Sequence, residues 1–588
     1  MTMPSAPEGE SPGDPAVAEC QRLLEAVPAA AATSPAFRRH WPSISASLAA
    51  LSSSLASPAF PPSAPLLAPL AAALRALLSV SADAHAPRLG HLHTVSLLSS
   101  TAAELSQLAA DARLRASAPA PSSSAAAASD PSSALVSRLR MGSAASRAAA
   151  LEELASTAPA LPAPSASAAV SAVAALLDSA SAAGCGVADL RERAVAALAA
   201  LASSDAARPA LAQEAGAAVV PHLCRALESG SGATTEHACA ALLPLTASSR
   251  DASAAVAARG GVSALLSACA GATPAAQAAA AGVLRNLAAF PDLLPAFRDE
   301  GGAVPLLLLQ LVSLGTPRAQ EQALGCLQRL TAGDGDDAQR MKVEVFQAGA
   351  LPCVRDFLDG SRGAGNGDGD NEPPGLAPAL GLLRNMASFR YIAEIAAAAS
   401  TGGGGGGGSG FVAHVVAALG SDRSATRTEA ALALSELCGN AGGGSSKAAR
   451  QYYEAVVADV AVPRLVWMLE AKAASERDAA ARALAAVLGA SSACRKAFRK
   501  DERGVVNAVQ LLGDPSGSGS RGGVEEEERR FPVSVLLAVA QSRRCRKQMV
   551  AAGACGFLQG LVAAEVEGAK RLAECLGKGK MLGVFPRT

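Results

Sequence analysis

Residues 300–305, Glu-Gly-Gly-Ala-Val-Pro, open a run of Leu and Val that passes through Thr316-Pro317 and closes in Gly325-Cys-Leu-Gln-Arg-Leu330. The Gly pair suits a tight turn, and Pro suits the first position of a new helix. The apolar residues of the closing phrase fall three and four apart, which puts them on one helix face. Both phrases recur. The opening one returns as Glu214–Pro221 (Glu-Ala-Gly-Ala-Ala-Val-Val-Pro), Arg259–Val262 (Arg-Gly-Gly-Val) and Gln347–Pro352 (Gln-Ala-Gly-Ala-Leu-Pro). Later copies stand at Gly410-Phe411-Val412, Asp459–Pro463, Gly504-Val505-Val506 and Ala552-Gly553-Ala554. With Gly216, Gly260, Gly301, Gly349, Gly410, Asp459, Gly504 and Gly553 as anchors, the steps are 44, 41, 48, 61, 49, 45 and 49. The closing phrase returns as Gly282-Val-Leu-Arg-Asn-Leu287, Gly381-Leu-Leu-Arg-Asn-Met386 and Ala433-Leu-Ser-Glu-Leu437. Weaker copies lie at Ala197–Leu201, Ala241–Leu245, Ala483–Val487 and Val535–Val539. Each unit reads as a short helix, a Gly turn, then two longer helices split by a small polar turn such as Thr273-Pro274 or Thr316-Pro317.

Composition agrees with helix. Apolar residues make up 50% of the 588 and aromatics only 3%, so small aliphatics must build the interior. Ala and Leu are strong helix formers, whereas the residues that sheets favour are scarce. Lys+Arg and Asp+Glu balance at 51 each, with none of the basic excess that phosphate neutralisation asks for, so no nucleic-acid partner is expected. Twelve scattered cysteines form no C-x-x-C and no zinc-type Cys/His cluster, which predicts free thiols in a reducing compartment and no metal site. Met1–Pro15 lacks the marks of a signal or transit peptide. Ala303–Leu309 is far too short to cross a membrane, and Pro274 breaks the uncharged run Gly260–Leu284. The expected location is the cytoplasm, the nucleus or both.

These phrases resemble the armadillo repeat, distributed over residues 135–577 as about nine to ten units, the first and last degenerate. The resemblance implies an all-α fold, a right-handed armadillo-repeat superhelical solenoid, here preceded by a small N-terminal helical domain. Residues 17–116 show helical apolar spacing without the repeat phrase, with candidate helices Val17–Val27, Trp41–Leu55, Pro65–Val80 and Leu92–Leu114. That region, at Leu92–Leu105 in particular, is similar to the N-terminal domain of plant U-box/armadillo ubiquitin ligases. A U-box would follow it, but residues 117–134 are a Ser/Ala/Pro-rich linker too short and simple to be one. Ligase chemistry is therefore not carried over. Residues 1–16 read as a disordered N-terminus, 578–588 as a tail, and 360–375, 402–410, 441–446 and 513–523 as Gly-rich inserts. Gly402–Gly408 has no trailing Gly-Lys-Ser/Thr, so it is no phosphate loop.

No catalytic constellation emerges. His91 and His93 diverge on a helix, and no Gly-x-Ser-x-Gly elbow occurs. The chain is read as a non-enzyme without cofactor or small-molecule substrate. Arg495–Lys500 and Arg543–Lys547 are basic and would suit a nuclear import signal or an anionic partner, but Cys494-Arg-Lys and Cys545-Arg-Lys stand at one repeat position, and repeat register alone also explains them. Aligned closing phrases stack Asn286, Arg329, Asn385 and Glu436 at one position and Arg285, Gln328 and Arg384 just before it. In the armadillo family this third helix lines the concave groove, and its polar residues grip an extended peptide. Two readings stay open: these side chains bind a partner protein, or they tie neighbouring units together. The paired Trp and Asn ladder of importin-α is missing, since only Trp41 and Trp467 occur. The expected role is a scaffold for other proteins; the alternative is a U-box-less regulator that binds a ubiquitin ligase or its substrate.

Overall fold

The computed structural model describes residues 15–33, 37–56, 66–83, 91–116, 131–182, 188–214, 218–229, 231–363, 372–398, 410–440, 454–513 and 524–581. Helices and tight turns account for nearly all of these, and among the described residues no strand occurs. The fold is all-α. It divides into two compact units, residues 1–264 and 265–588.

The first unit opens with four helices: α1 (Pro15–Thr33), α2 (Trp41–Leu55), α3 (Leu67–Asp83) and α4 (His91–Ala116). They match the helical spacing of the sequence to within a few residues at most ends. Helix α1 packs on α3 and α2 on α4. Ile44, Leu51, Leu70, Leu74, Leu77, Leu98 and Leu105 are wholly enclosed between them. The buried carboxylate of Asp111 in α4 accepts from the backbone N–H of Ser143 at 3.0 Å and from its hydroxyl at 2.6 Å. That joins the bundle to α5 (Pro131–Met141) and α6 (Ala144–Thr157), where Ser143 also caps the N-terminus of α6. Next come α7 (Ala163–Ala182), α8 (Ala188–Ser203), α9 (Arg208–Glu214), α10 (Val220–Ser229), α11 (Gly232–Ser248) and α12 (Arg250–Ala258). Helices α6, α8 and α11, the last two carrying the closing phrase, stack in order.

The division between the units falls inside α13 (Gly261–Gly271). The second unit then runs through α14 (Pro274–Leu287), α15 (Leu294–Arg298), α16 (Ala303–Leu314), α17 (Pro317–Leu330), α18 (Asp336–Gln347), α19 (Ala350–Gly363), α20 (Leu376–Ala387) and α21 (Arg390–Ala398). It continues with α22 (Phe411–Ala418), α23 (Ser424–Asn440), α24 (Val462–Met468), α25 (Ala474–Ala490), α26 (Ser492–Lys500) and α27 (Glu502–Gly513). Its last four helices are α28 (Val524–Val539), α29 (Arg543–Ala551), α30 (Ala554–Ala563) and α31 (Ala569–Met581).

The turn chemistry is that of the sequence at most copies. Gly260, Gly301, Gly349 and Gly553 take φ of +70°, +60°, +92° and +87° between a first and a second helix, where any L side chain would be strained. Thr273 and Thr316 each accept a backbone N–H from three residues on, with Pro at the start of the helix they cap. Three anchors behave differently. Gly410 is an extended N-cap, Asp459 sits in a π-helical turn spanning Val457–Ala461, and Gly504 lies within α27 beneath the Phe498 ring. Gly216 lies outside the described residues. Of the Gly-rich stretches, Gly360–Gly363 still belongs to α19, Gly513 closes α27, and 402–409, 441–446 and 514–523 lie outside the described residues.

Among the described residues, Cys20, Cys224, Cys239, Cys269, Cys326, Cys494 and Cys545 are buried and pack as small hydrophobes, while Cys555 is exposed. Burial pushes the Cys224 thiol up to about 11 and that of Cys239 to about 12, so neither is a thiolate at neutral pH. Among the described residues, no group of three or more His, Cys, Asp or Glu side chains is arranged to hold a metal ion. Among them, too, no single helix is long and apolar enough to cross a membrane.

Candidate functional site

In the second unit the third helix of each repeat stacks on the next: α14 on α17, α17 on α20, α20 on α23, α23 on α25, and α25 on α28. The leucines of the closing phrase face inward. Leu284, Leu287, Leu327, Leu330, Leu383 and Met386 are all buried, which leaves the intervening polar positions on the ladder surface. Arg285, Asn286, Gln328, Arg329, Arg384 and Glu436 are half-buried there, and Asn385 is buried.

Most of these side chains cross from one helix to another. Arg285 lies against Gly325 and donates from Nη1 to Gln322 Oε1 at 3.1 Å. A Cβ at Gly325 would stand 2.8 Å from the Arg285 Nε, so the glycine makes the crossing possible. Arg329 donates from Nη1 to the Arg285 carbonyl at 2.8 Å. Burial, and then the charge of Arg285, lower the proton affinity of Arg329.

Gln328 reaches farther. It passes over Gly381, where a Cβ would lie 2.0 Å from its Nε2, and donates to Glu429 Oε1 on α23 at 3.0 Å. Helix α20 is thus bridged rather than only touched. Arg384 meets the other Glu429 oxygen at 2.8 Å and donates to Asn385 Oδ1 at 3.2 and 3.1 Å. Asn385 donates to the Gln328 carbonyl at 2.7 Å and to Thr331 Oγ1 at 3.1 Å. Burial raises the Glu429 carboxyl, and the Arg384 charge and the Gln328 amide partly offset that. Glu436 stands apart from this group and accepts from Arg482 on α25 at 2.6 Å.

The structure brings the residues selected from the sequence together on one row of stacked helices, while Gln322 and Glu429, which meet them, were not selected. Gln322 and Glu429 each sit two turns before a selected residue, on the same face. A second polar position at that offset was the available signal. The glycines of the closing phrase were the other, because a missing Cβ marks a close approach.

A second polar cluster lies toward the start of the third helices. Glu476 is 2% exposed and takes a two-pronged pair from Arg427 at 2.6 and 3.1 Å, with Ser424 donating at 2.5 Å. The same guanidinium caps the Ser421 carbonyl at 2.7 Å and lies 5.3 Å from the centroid of Trp467. Burial alone would raise the Glu476 carboxyl, but the bonds from Arg427 and Ser424 and the charge of Arg427 outweigh it and hold it low. Buried Lys342 on α18 donates to the Gly333 carbonyl at 2.9 Å and Ser388 Oγ at 3.2 Å, and burial lowers its proton affinity.

One arginine of each basic cluster caps the helix before it. Arg495 donates to the carbonyls of Leu488 and Gly489 at 2.6 and 3.2 Å. Arg546 does the same for Ala540 and Gln541 at 2.7 and 3.0 Å. Each satisfies orphan carbonyls where a third helix ends, while Ser491 and Ser542 cap the helix that follows.

No protein-family profile matches the chain, and no curated protein matches it. Solved structures do match. An engineered protein is 24% identical with a TM-score of 0.56, covering 76% of this chain and 98% of its own. A chain from work on the phosphorylation switch that controls the interaction between cadherin and beta-catenin is 14% identical, with a TM-score of 0.58 and coverage of 87% and 91%. Identities this low speak for the fold alone, and beta-catenin is an armadillo-repeat protein, so the fold is that of an all-α armadillo-type solenoid.

Proposed function

We propose that this chain is a non-catalytic scaffold that holds an extended segment of a partner protein along its third-helix ladder. The observation that carries the reading is the row Arg285, Asn286, Gln328, Arg329 and Arg384, half-exposed on successive stacked helices. An extended partner presents unpaired N–H and C=O groups, and side-chain amides and guanidiniums can meet them. The solved neighbour comes from a protein whose interaction with cadherin is described, which supports a binding role for the fold. The cytoplasm or nucleus is the proposed location, from the free cysteines of the sequence.

The bonds of Asn385 to Gln328 and Thr331 also fit a structural tie, so the test must separate the two roles. Partners are identified by proximity labelling in native tissue and then captured with the wild-type chain and with the Asn286→Ala/Arg329→Ala/Arg384→Ala variant. Lost capture with an unchanged melting temperature supports the ladder as the binding face. Unchanged capture overturns it. A second reading, regulation of ubiquitin ligases without a U-box, rests on the four-helix bundle α1–α4 ahead of the repeats. Ligase components or their substrates among the captured partners favour it; their absence removes it.

A further inference from the structure

The first helices of the earlier repeats carry mixed charge: Arg250 with Asp251 in α12, Arg390 with Glu394 in α21, and Asp336, Asp337 and Glu344 against Arg340 and Lys342 in α18. The last two differ. Helix α26 holds Arg495, Lys496, Arg499 and Lys500, α29 holds Arg543, Arg544, Arg546 and Lys547, and neither contains a carboxylate. Repeat register accounts for the buried Cys494, Phe498, Cys545 and Met549 and for the carbonyl caps Arg495 and Arg546. It does not account for Lys496, Lys500, Arg543 and Lys547. These four are exposed, and among the described residues their side chains make no ion pair or hydrogen bond.

The four form two same-sign pairs, Lys496 with Lys500 and Arg543 with Lys547, each four residues apart on one helix face, where like charges repel. Arg543 and Arg544 also open α29, the end at which the helix dipole favours acids. The two helices adjoin, because Arg544 meets Glu502 at 2.5 Å and Glu502 opens α27 two residues after Lys500. We propose that the outer faces of α26 and α29 dock an acidic segment of a partner protein, whose Glu or Asp side chains meet the two like-charged pairs. Glu502 already makes one such contact from within the chain. Its side chain, 76% exposed among the cations, would be repelled by a uniform sheet of anionic headgroups or by a phosphodiester backbone, whereas a segment can place its acids around it. Phe498, the aromatic residue of the two helices, is buried, so none is offered for base stacking. This surface lies apart from the third-helix ladder and stands or falls independently of it.

Fluorescence anisotropy on the full chain at low salt tests it with a capped peptide of alternating Glu and Ser and its Gln counterpart. Wild-type protein should bind the Glu peptide about tenfold more tightly, the sum of several exposed pairs, and should lose the preference as salt rises. The Lys496→Gln/Lys500→Gln/Arg543→Gln/Lys547→Gln variant should abolish it. Arg38→Gln/Arg39→Gln/Arg318→Gln/Arg423→Gln, which removes the same charge from exposed positions elsewhere, should keep it. The ladder variant Asn286→Ala/Arg329→Ala/Arg384→Ala should keep it too. Circular dichroism checks each fold, and Lys500→Gln/Lys547→Gln, with a smaller loss in the same direction, serves if the quadruple variant unfolds. Equal binding of the two peptides by wild type, a preference that survives in the α26/α29 variant, or one lost as fully in either of the other two variants overturns the proposal. Phosphatidylserine-containing vesicles and a short DNA duplex complete the test. Binding of either through the same four residues, where the Glu peptide fails to bind, overturns the acidic segment in favour of that surface.

Discussion

The four-helix bundle at the start of the chain and the third-helix ladder of the second unit use opposite means to hold helix against helix. In the bundle the contact is leucine on leucine, and the hydroxyls of Ser47, Ser79 and Thr101 turn back to carbonyls of their own helices. Among the described residues its ion pair between helices is Arg75 with Glu19, roughly half exposed on both sides. In the ladder, leucines fill the interior while long polar side chains run from helix to helix above them. Burial stabilises the first arrangement without regard to direction. Directional bonds fix the register of the second.

The largest expected effect breaks the ladder at its most enclosed pair. Glu476→Ala leaves Arg427 buried without its carboxylate, a loss of about 3–5 kcal/mol, read as a shift in the urea midpoint. A loss below about 1 kcal/mol, the range of exposed pairs, would erase the contrast. The same pair sets an acid dependence. Because the folded-state carboxyl of Glu476 is held below its ordinary value, its contribution is complete above the unfolded pKa and disappears as pH falls through the folded one. Glu476→Gln should therefore flatten the acid limb of a stability–pH curve relative to wild type.

A smaller effect sharpens the role of the ladder glycines. Nothing approaches a Cβ at Gly489 within 4 Å, whereas at Gly381 one would lie 2.0 Å from the Gln328 amide. Gly489→Ala should stabilise α25 by about 0.5–1 kcal/mol through helix propensity. At Gly381 the same gain is offset by loss of the Gln328–Glu429 bond, worth about 1 kcal/mol, so no net gain should appear. Thermal melts of the two variants side by side decide it; an equal rise in both would mean that the crossing contributes nothing.

The smallest effect belongs to the bundle. Glu19→Ala removes a pair whose side chains are 43% and 56% exposed. Stability should move by less than about 0.5 kcal/mol, since exposed pairs contribute little. A loss as large as that of Glu476→Ala would show that charge holds the bundle as it holds the ladder.

The fold was readable because its determinants are local. A Leu-x-x-Leu spacing, a Thr-Pro start and a Gly that must take positive φ each act within a few residues, and repetition strengthened the signal from copy to copy. Gly410, Asp459 and Gly504 departed from the common turn because their neighbours differ: an extended cap, a π-helical turn and the Phe498 ring replace the left-handed glycine. The candidate site was readable only as a row of positions. Which side chain meets which depends on residues 37 to 101 places apart, as with Arg285 and Gln322 or Gln328 and Glu429. No periodicity encodes such pairs. Glu476 and Lys342 were missed for the same reason, since a charged residue looks solvent-facing until its partner is known.

The reach of Gln328 across α20 has a mechanical consequence. Repeat arrays are usually treated as chains in which every module feels only its immediate neighbours, so that they unzip one module at a time. The bond from α17 to Glu429 on α23 skips a module, and Arg384 on the skipped helix holds the same carboxylate. Three successive modules thus share one knot. A chain drawn out from its C-terminal end should yield singly as far as α25 and then resist, releasing the stretch from α23 to α17 as one larger step in its force trace.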